Sequence, residues 1–216
     1  MNIETKFALP VAKTVFSVLK SAYQTRQQSR VEVFLKSIDL CYETMTTESQ
    51  AKLKKYIESE TGQDILAKYA DTVLQTSSRR AHMALALLYC GDPDFLLEGM
   101  DLNIFVGAMV GISDDQIDFF QMAVKVKCQE ESLPFPRAAI HNQNCDSFVD
   151  KGWDAESIFV YVHDLIRRRL LLPDSDNYQS QCSSGEGWAV WFGITNKSRK
   201  MSNLIEKASA LLEGQI

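Results

Sequence analysis

The stretch from Trp153 to Thr195 constrains the fold most, because the spacing of its apolar residues changes part-way along it. Over residues 155–170 (AESIFVYVHDLIRRRL), Ile158, Tyr161, Val162, Leu165 and Ile166 recur at helical spacing and form one stripe. Leu171-Leu172-Pro173 then leads through a polar loop to Trp188–Ile194, an aromatic and β-branched run that reads as a strand. Gly193-Ile194-Thr195 closes it, and Lys197–Leu212 follows at once as a second amphipathic helix. A short β-hairpin clamped between two helices is therefore expected. On the helix Leu165 belongs to the core stripe and Asp164 to the solvent side. Trp188 and Trp191, three apart on a strand, should face opposite ways, with one in the core.

The N-terminal two thirds reads as helices throughout. Residues 7–27 carry Ala8, Val11, Ala12, Val15, Leu19, Ala22 and Tyr23 on one side, while Lys6, Lys13 and Lys20 recur every seven residues on the other. Up to residue 36 the basic residues are Lys6, Lys13, Lys20, Arg26, Arg30 and Lys36, against Glu4 and Glu32. Such a helix suits a membrane surface or a partner. Packing on its own domain is the favoured expectation, because the apolar side is small and rich in Val and lacks large inserting residues. Residues 28–44 continue the helix with Val31, Phe34, Leu35, Ile38 and Tyr42 on one face.

Thr46 to Glu48 marks the start of a short helix that Gly62 is expected to end, and another begins near Gln63. Ser77 or Ser78 caps a helix over Arg79–Cys90 whose centre, Met83 to Leu88, is apolar nearly all round. That helix belongs in the middle of a bundle. Gly91 to Asp94 then breaks the chain. After a looser stretch, Leu102–Val110, Ser113 restarts a helix carrying Ile117, Phe119, Phe120, Ala123 and Val124. Pro134 and Pro136 mark a linker, so the expected domains are a helical bundle over 1–132 and a second unit over 137–216. The first helix of that unit falls at either 113–128 or 137–150.

The order of helix, short strand, loop and strand, with "Leu-Ile-x-x-x-Leu-Leu … Gly-Ile-Thr-x-x-x-Arg", resembles the winged-helix superfamily across about a third of the chain. The resemblance implies a C-terminal winged-helix domain whose loop over 173–187 is the wing. A second resemblance concerns the N-terminal half. Its early amphipathic helix, its junction Arg26-Gln27-Gln28-Ser29-Arg30, and Thr76-Ser77-Ser78-Arg79-Arg80 followed by Ala84-Leu85-Ala86-Leu87-Leu88 look like small bacterial helical proteins of the abortive-infection alpha type. That resemblance implies a setting in phage defence or a mobile element.

Charge bears on what such a domain contacts. The chain has 23 basic and 28 acidic residues, a net charge of -5, and residues 144–216 hold eight basic against ten acidic. Asp154, Glu156 and Asp164 stand where a recognition helix would meet phosphates, and repel them. Arg167, Arg168, Arg169, Lys197, Arg199 and Lys200 are the candidate nucleic-acid or partner contacts, as a local basic patch beside the wing. The alternative is that they complement a helix C-terminus.

Chemistry is not expected. His141 and Cys145 form one pair four apart, short of a zinc pattern. His82 reads as a hydrogen-bonded, partly buried histidine, and the pairs Asp92/Asp94 and Asp114/Asp115 as caps. Ser183-Ser184-Gly185-Glu186-Gly187 has neither the glycine spacing nor the lysine of a phosphate loop. Five separated cysteines, Cys41, Cys90, Cys128, Cys145 and Cys182, read as reduced thiols in a cytoplasmic protein, and Lys13 and Lys20 interrupt any spanning or export segment. The expectation is a mainly α protein without catalytic residues, metal or cofactor. It acts as an adaptor through a protein partner or self-association, with a DNA-binding regulator and a membrane-surface effector using helix 7–27 as alternatives.

Overall fold

In a computed structural model the chain is described over residues 10–91, 99–128, 135–174 and 187–214. These residues form α1 (Pro10–Glu43), α2 (Thr47–Glu58), α3 (Glu60–Gln75), α4 (Arg79–Tyr89), α5 (Gly99–Met109) and α6 (Asp114–Lys125). Then come β1 (Arg137–His141), α7 (Asp146–Val149), α8 (Ala155–Arg167), β2 (Leu172–Pro173), β3 (Ala189–Gly193) and α9 (Asn196–Leu212). The fold is mainly α with one small sheet. Residues 1–9 with Lys6, the break at Asp92 to Asp94, the linker residue Pro134, and Cys182 with the serine-rich run 183–186 lie outside the described residues.

Side-chain caps set most of the helix starts. Thr46, Ser59, Ser78, Ser113, Asp154 and Thr195 each accept from a backbone N–H in the following turn, which satisfies a donor the helix itself leaves open. Gly62, expected to end a helix, instead lies in the first turn of α3, and Ser59 serves as the C-cap of α2 and the N-cap of α3. The glycine is needed for space: a Cβ there would run into the Tyr56 carbonyl.

At the centre is α4, where Ala81, Met83, Ala84, Leu85 and Ala86 are fully buried, as the apolar-all-round reading requires. The second half of α1 packs on one side of it and α9 runs along another, with α6 also against α9. One hydrophobic cluster consequently extends from Phe34 on α1 through α4 and α6 to Leu211 on α9. It crosses the position of the expected domain boundary.

Two expectations about α1 are corrected. Its inward face is Phe34, Ser37 and Cys41, with Val31 and Leu35 exposed, so the stripe is turned from the expected one. More importantly, residues 17–26 are exposed, and Val18, Leu19 and Tyr23 lie open to solvent at 62%, 63% and 64%. From residue 17 onward the expected packing of this helix on its own domain begins only near Arg30, whose Nη1 donates to the Leu74 carbonyl at 2.5 Å, while the side chains of residues 7–16 lie outside those described. Periodicity reports that a helix has an apolar side and says nothing of what covers it.

The β element holds three antiparallel strands in the order β1-β3-β2, with Ile140 opposite Val190 and Leu172 opposite Gly193. Residues 137–150, one of two places for a helix, form β1 and the four-residue α7 instead, so the first helix of this region is α6. Gly193 is required where it stands, because the Phe135 ring occupies the space of a Cβ. Val190 and Phe192 enter the core. Neither Trp188, just before β3, nor Trp191 within it is fully buried, contrary to expectation: Trp188 lies 5.8 Å from the Phe159 ring, and the Arg137 guanidinium covers Trp191 at 4.7 Å. Arg137 is itself held by a nearly buried two-pronged pair with Asp174, Nε to Oδ1 at 2.5 Å and Nη2 to Oδ2 at 2.6 Å.

Candidate functional site

The site builds outward from α8. Asp154 caps the helix by accepting from Ser157 N at 2.8 Å, and Ile158, Val162 and Leu165 are fully buried against the core. Phe119, Phe148, Trp153 and Tyr161 interlock beneath it, with ring centroids 5.1–6.2 Å apart. This seats α8 rigidly on α6 and α7 and leaves one edge facing water.

At its C-terminal end α8 turns its charges inward. Asp164, placed on the solvent side by the sequence, is mostly buried; it accepts from Gln116 Nε2 at 2.6 Å, from Arg168 Nε at 2.7 Å and from Arg167. Burial alone raises the Asp164 carboxyl, but the hydrogen bonds and positive charge of Arg168 and Arg167 outweigh it and hold the group below its usual value. Arg168 continues past Asp164, and its Nη1 donates to the carbonyls of Ala108 and Val110, both at 2.8 Å. A cation thereby satisfies open carbonyls at the end of α5. The helix-terminus alternative for the arginines applies to Arg168, on a different helix from its own.

Arg169 ends α8 in the left-handed conformation, with φ 62°. Its N–H donates to Ile166 O and that of Leu170 to Leu165 O, a Schellman ending in which glycine is the usual residue. The guanidinium is exposed and has no partner among the described residues.

The other three cations lie at the start of α9. Lys197 Nζ pairs with Asp101 at 2.6 Å, in the first turn of α5, and Arg199 Nη2 contacts Cys128 Sγ at 3.2 Å. Lys200 is also engaged. Arg168 and Lys197 therefore touch opposite ends of α5, roughly 10 Å apart along its axis at ~1.5 Å per residue. Of the six cations, Arg168 and Lys197 hold the two ends of α5, Arg167 pairs with Asp164, and Arg199 turns to Cys128.

What α8 offers to solvent is different. Glu156, Val160, His163 and Arg167 follow one another along its exposed side. Val160 is 62% exposed, and half-buried Phe159 beside it bridges to Trp188 at 5.8 Å and to the His163 ring at 6.5 Å. Charge counting had overlooked this apolar strip. The signal was present in Val160, a large apolar residue off the core stripe of an amphipathic helix.

Among the described residues no group of three or more His, Cys, Asp or Glu side chains is placed to hold a metal ion. His141 Nδ1 accepts from Gln143 N at 3.2 Å, while Cys145 is buried at the start of α7. His82 is 1% exposed, with Nε2 3.2 Å from the Val73 carbonyl. No nucleophile approaches it within hydrogen-bonding distance among the described residues. Comparison of the chain with protein-family models, with curated proteins and with solved structures finds no match.

Proposed function

We propose that this protein is a non-enzymatic adaptor that acts through protein contacts, with the exposed edge of α8 and the adjoining Trp188 as its contact surface. The observation that carries this reading is Val160, 62% exposed beside Phe159 and Trp188. An apolar and aromatic centre rimmed by Glu156, His163 and Arg167 has the composition of a protein interface. A phosphate-binding surface would present free cations instead.

The winged-helix reading of this region draws support from the order α6, β1, α7, α8, β2, β3 and from the sheet order with β3 in the middle. Under that reading α8 is the recognition helix, the element that enters the major groove in DNA-binding members. Asp154 at its N-cap and Glu156 in its first turn oppose phosphate, and Arg168 is committed to α5. A setting in phage defence or a mobile element rests on the N-terminal resemblance alone.

A DNA-binding regulator is the second reading, and Arg169 favours it, as an exposed cation held in a conformation that costs stability. Two measurements separate the readings. A photoreactive residue in place of Val160 should give a discrete protein adduct in the native host, absent with a Glu156 or Trp188 control pair mutated to break the surface. Duplex binding followed by anisotropy should be absent at ~150 mM salt. A sequence-selective complex tighter than micromolar at that salt, lost on Arg167→Ala with Arg169→Ala, would replace the adaptor reading by the regulator.

A further inference from the structure

We infer that the exposed stretch of α1 over residues 17–29 is a docking helix for an anionic lipid surface. α1 is continuous from Pro10 to Glu43; from Ser17 to Arg26 its side chains are exposed, and contact with the body sets in near Arg30 and Phe34. Residues 17–29 therefore stand out by roughly 20 Å at ~1.5 Å per residue. Val18, Leu19, Ala22 and Tyr23 share one side of this exposed length, at spacings of one, four and five residues. Ser17, Ser21, Gln24 and Gln28 occupy the other. Among the described residues, three of the eight exposed large apolar side chains, Val18, Leu19 and Tyr23, lie on this stretch, within six residues of one another. A contiguous exposed apolar face of this kind marks a binding surface rather than ordinary exterior.

Charge selects the occupant. Between Glu4 and Glu32 the sequence has five basic residues and no acidic one, although its net charge is -5; on the exposed length these are Lys20 and Arg26, since Arg30 turns to the Leu74 carbonyl. A second copy pairing through the same face would set cation against cation with no carboxylate in the segment to offset them. An anionic headgroup layer is complementary to the cations and takes the apolar side chains into the acyl boundary. Tyr23 is suited to the interface, with an apolar ring and a polar tip. No described helix is long and apolar enough to cross a membrane, so the helix would lie in the surface. The contact lies on a different element from Val160 and does not depend on the adaptor reading.

Sedimentation of the full chain with vesicles tests this. Phosphatidylcholine vesicles containing about a quarter phosphatidylglycerol should carry the protein down at low salt, at least tenfold more strongly than phosphatidylcholine alone, and high salt should reverse the difference. Leu19→Asp with Tyr23→Asp, and separately Lys20→Glu with Arg26→Glu, should each weaken binding at least tenfold. All four positions are exposed, so the thermal unfolding midpoint should stay put in both, and Val160→Glu should leave vesicle binding intact. No anionic preference, or equal binding by these variants, overturns the inference. So does a dimer in light scattering that Leu19→Asp with Tyr23→Asp disperses, which would make a second copy the occupant.

Discussion

Gln116 joins α6 to α8 with one side chain: its Oε1 accepts from Ser113 N at 2.8 Å to close the start of α6, and its Nε2 donates to Asp164 at 2.6 Å. Asp164 passes the connection to Arg168, and Arg168 to the end of α5. Asp164→Ala, near neutral on a sequence reading, should instead cost roughly 1–3 kcal/mol, because it strands the Gln116 amide and a mostly buried guanidinium. Urea denaturation of Asp164→Ala, Gln116→Ala and the double variant should give a non-zero coupling energy. The Asp164 carboxyl is depressed in the folded state, so its contribution is present above the unfolded value of about 3.9 and is lost as pH falls through the folded one. Asp164→Asn should flatten that acid limb.

A core shared by α4 and α9 predicts cooperative unfolding. Trp153, Trp188 and Trp191 all lie in the C-terminal region, whereas far-ultraviolet dichroism is dominated by the helices. The two signals should change at one urea midpoint. Leu165→Ala should move both together by roughly 2–5 kcal/mol, since the residue is fully buried, and Leu165→Asp should unfold the chain. A dichroism transition separate from the fluorescence one would show two independently folding units.

The helices were legible because caps and periodicity are local. Ser78, Ser113 and Thr195 announce helix starts, and Met83 to Leu88 announce a central helix, without knowledge of any partner. β1 was not legible: Ala138, Ala139 and Ile140 are buried in succession, so the alternation that marks a half-exposed strand is absent. The site failed for a related reason. A sequence shows that Arg167 to Arg169 are cations, whereas whether each meets phosphate, Asp164 or the carbonyls of α5 is settled by elements some sixty residues away. Val160 and the exposed half of α1 were visible as apolar positions, but their lack of cover is a tertiary fact.

Arg169 holds a backbone conformation that glycine adopts freely, with φ 62° at the end of α8. Arg169→Gly should raise stability by about 1 kcal/mol, read as a higher urea midpoint at unchanged slope. Arg169→Ala keeps the strain and removes the cation, so it should leave stability within ~0.5 kcal/mol of the parent. Destabilisation by the glycine variant would mean that the arginine makes a contact worth more than its strain.

His82 makes folding sensitive to mild acid. Burial lowers its affinity for a proton, the Val73 carbonyl opposes this, and the nearby positive charge of Arg30 adds to the lowering; the balance is a depressed value. The geometry agrees, since Nε2 faces the Val73 carbonyl and Nδ1 is buried with no hydrogen-bond partner among the described residues. Protonation would set a cation in the core near Phe34, whose ring centroid is 6.5 Å from that of the imidazole. Above the unfolded value of about 6.5, His82 is neutral in both states and costs nothing. As pH falls below it the unfolded chain gains the proton first, so stability drops until the folded value is reached. The unfolding midpoint should therefore decline as pH falls below about 6.5, and His82→Gln should remove most of that decline while lowering the midpoint at pH 7.5 through imperfect packing. An unchanged pH profile in the variant would assign the acid sensitivity elsewhere.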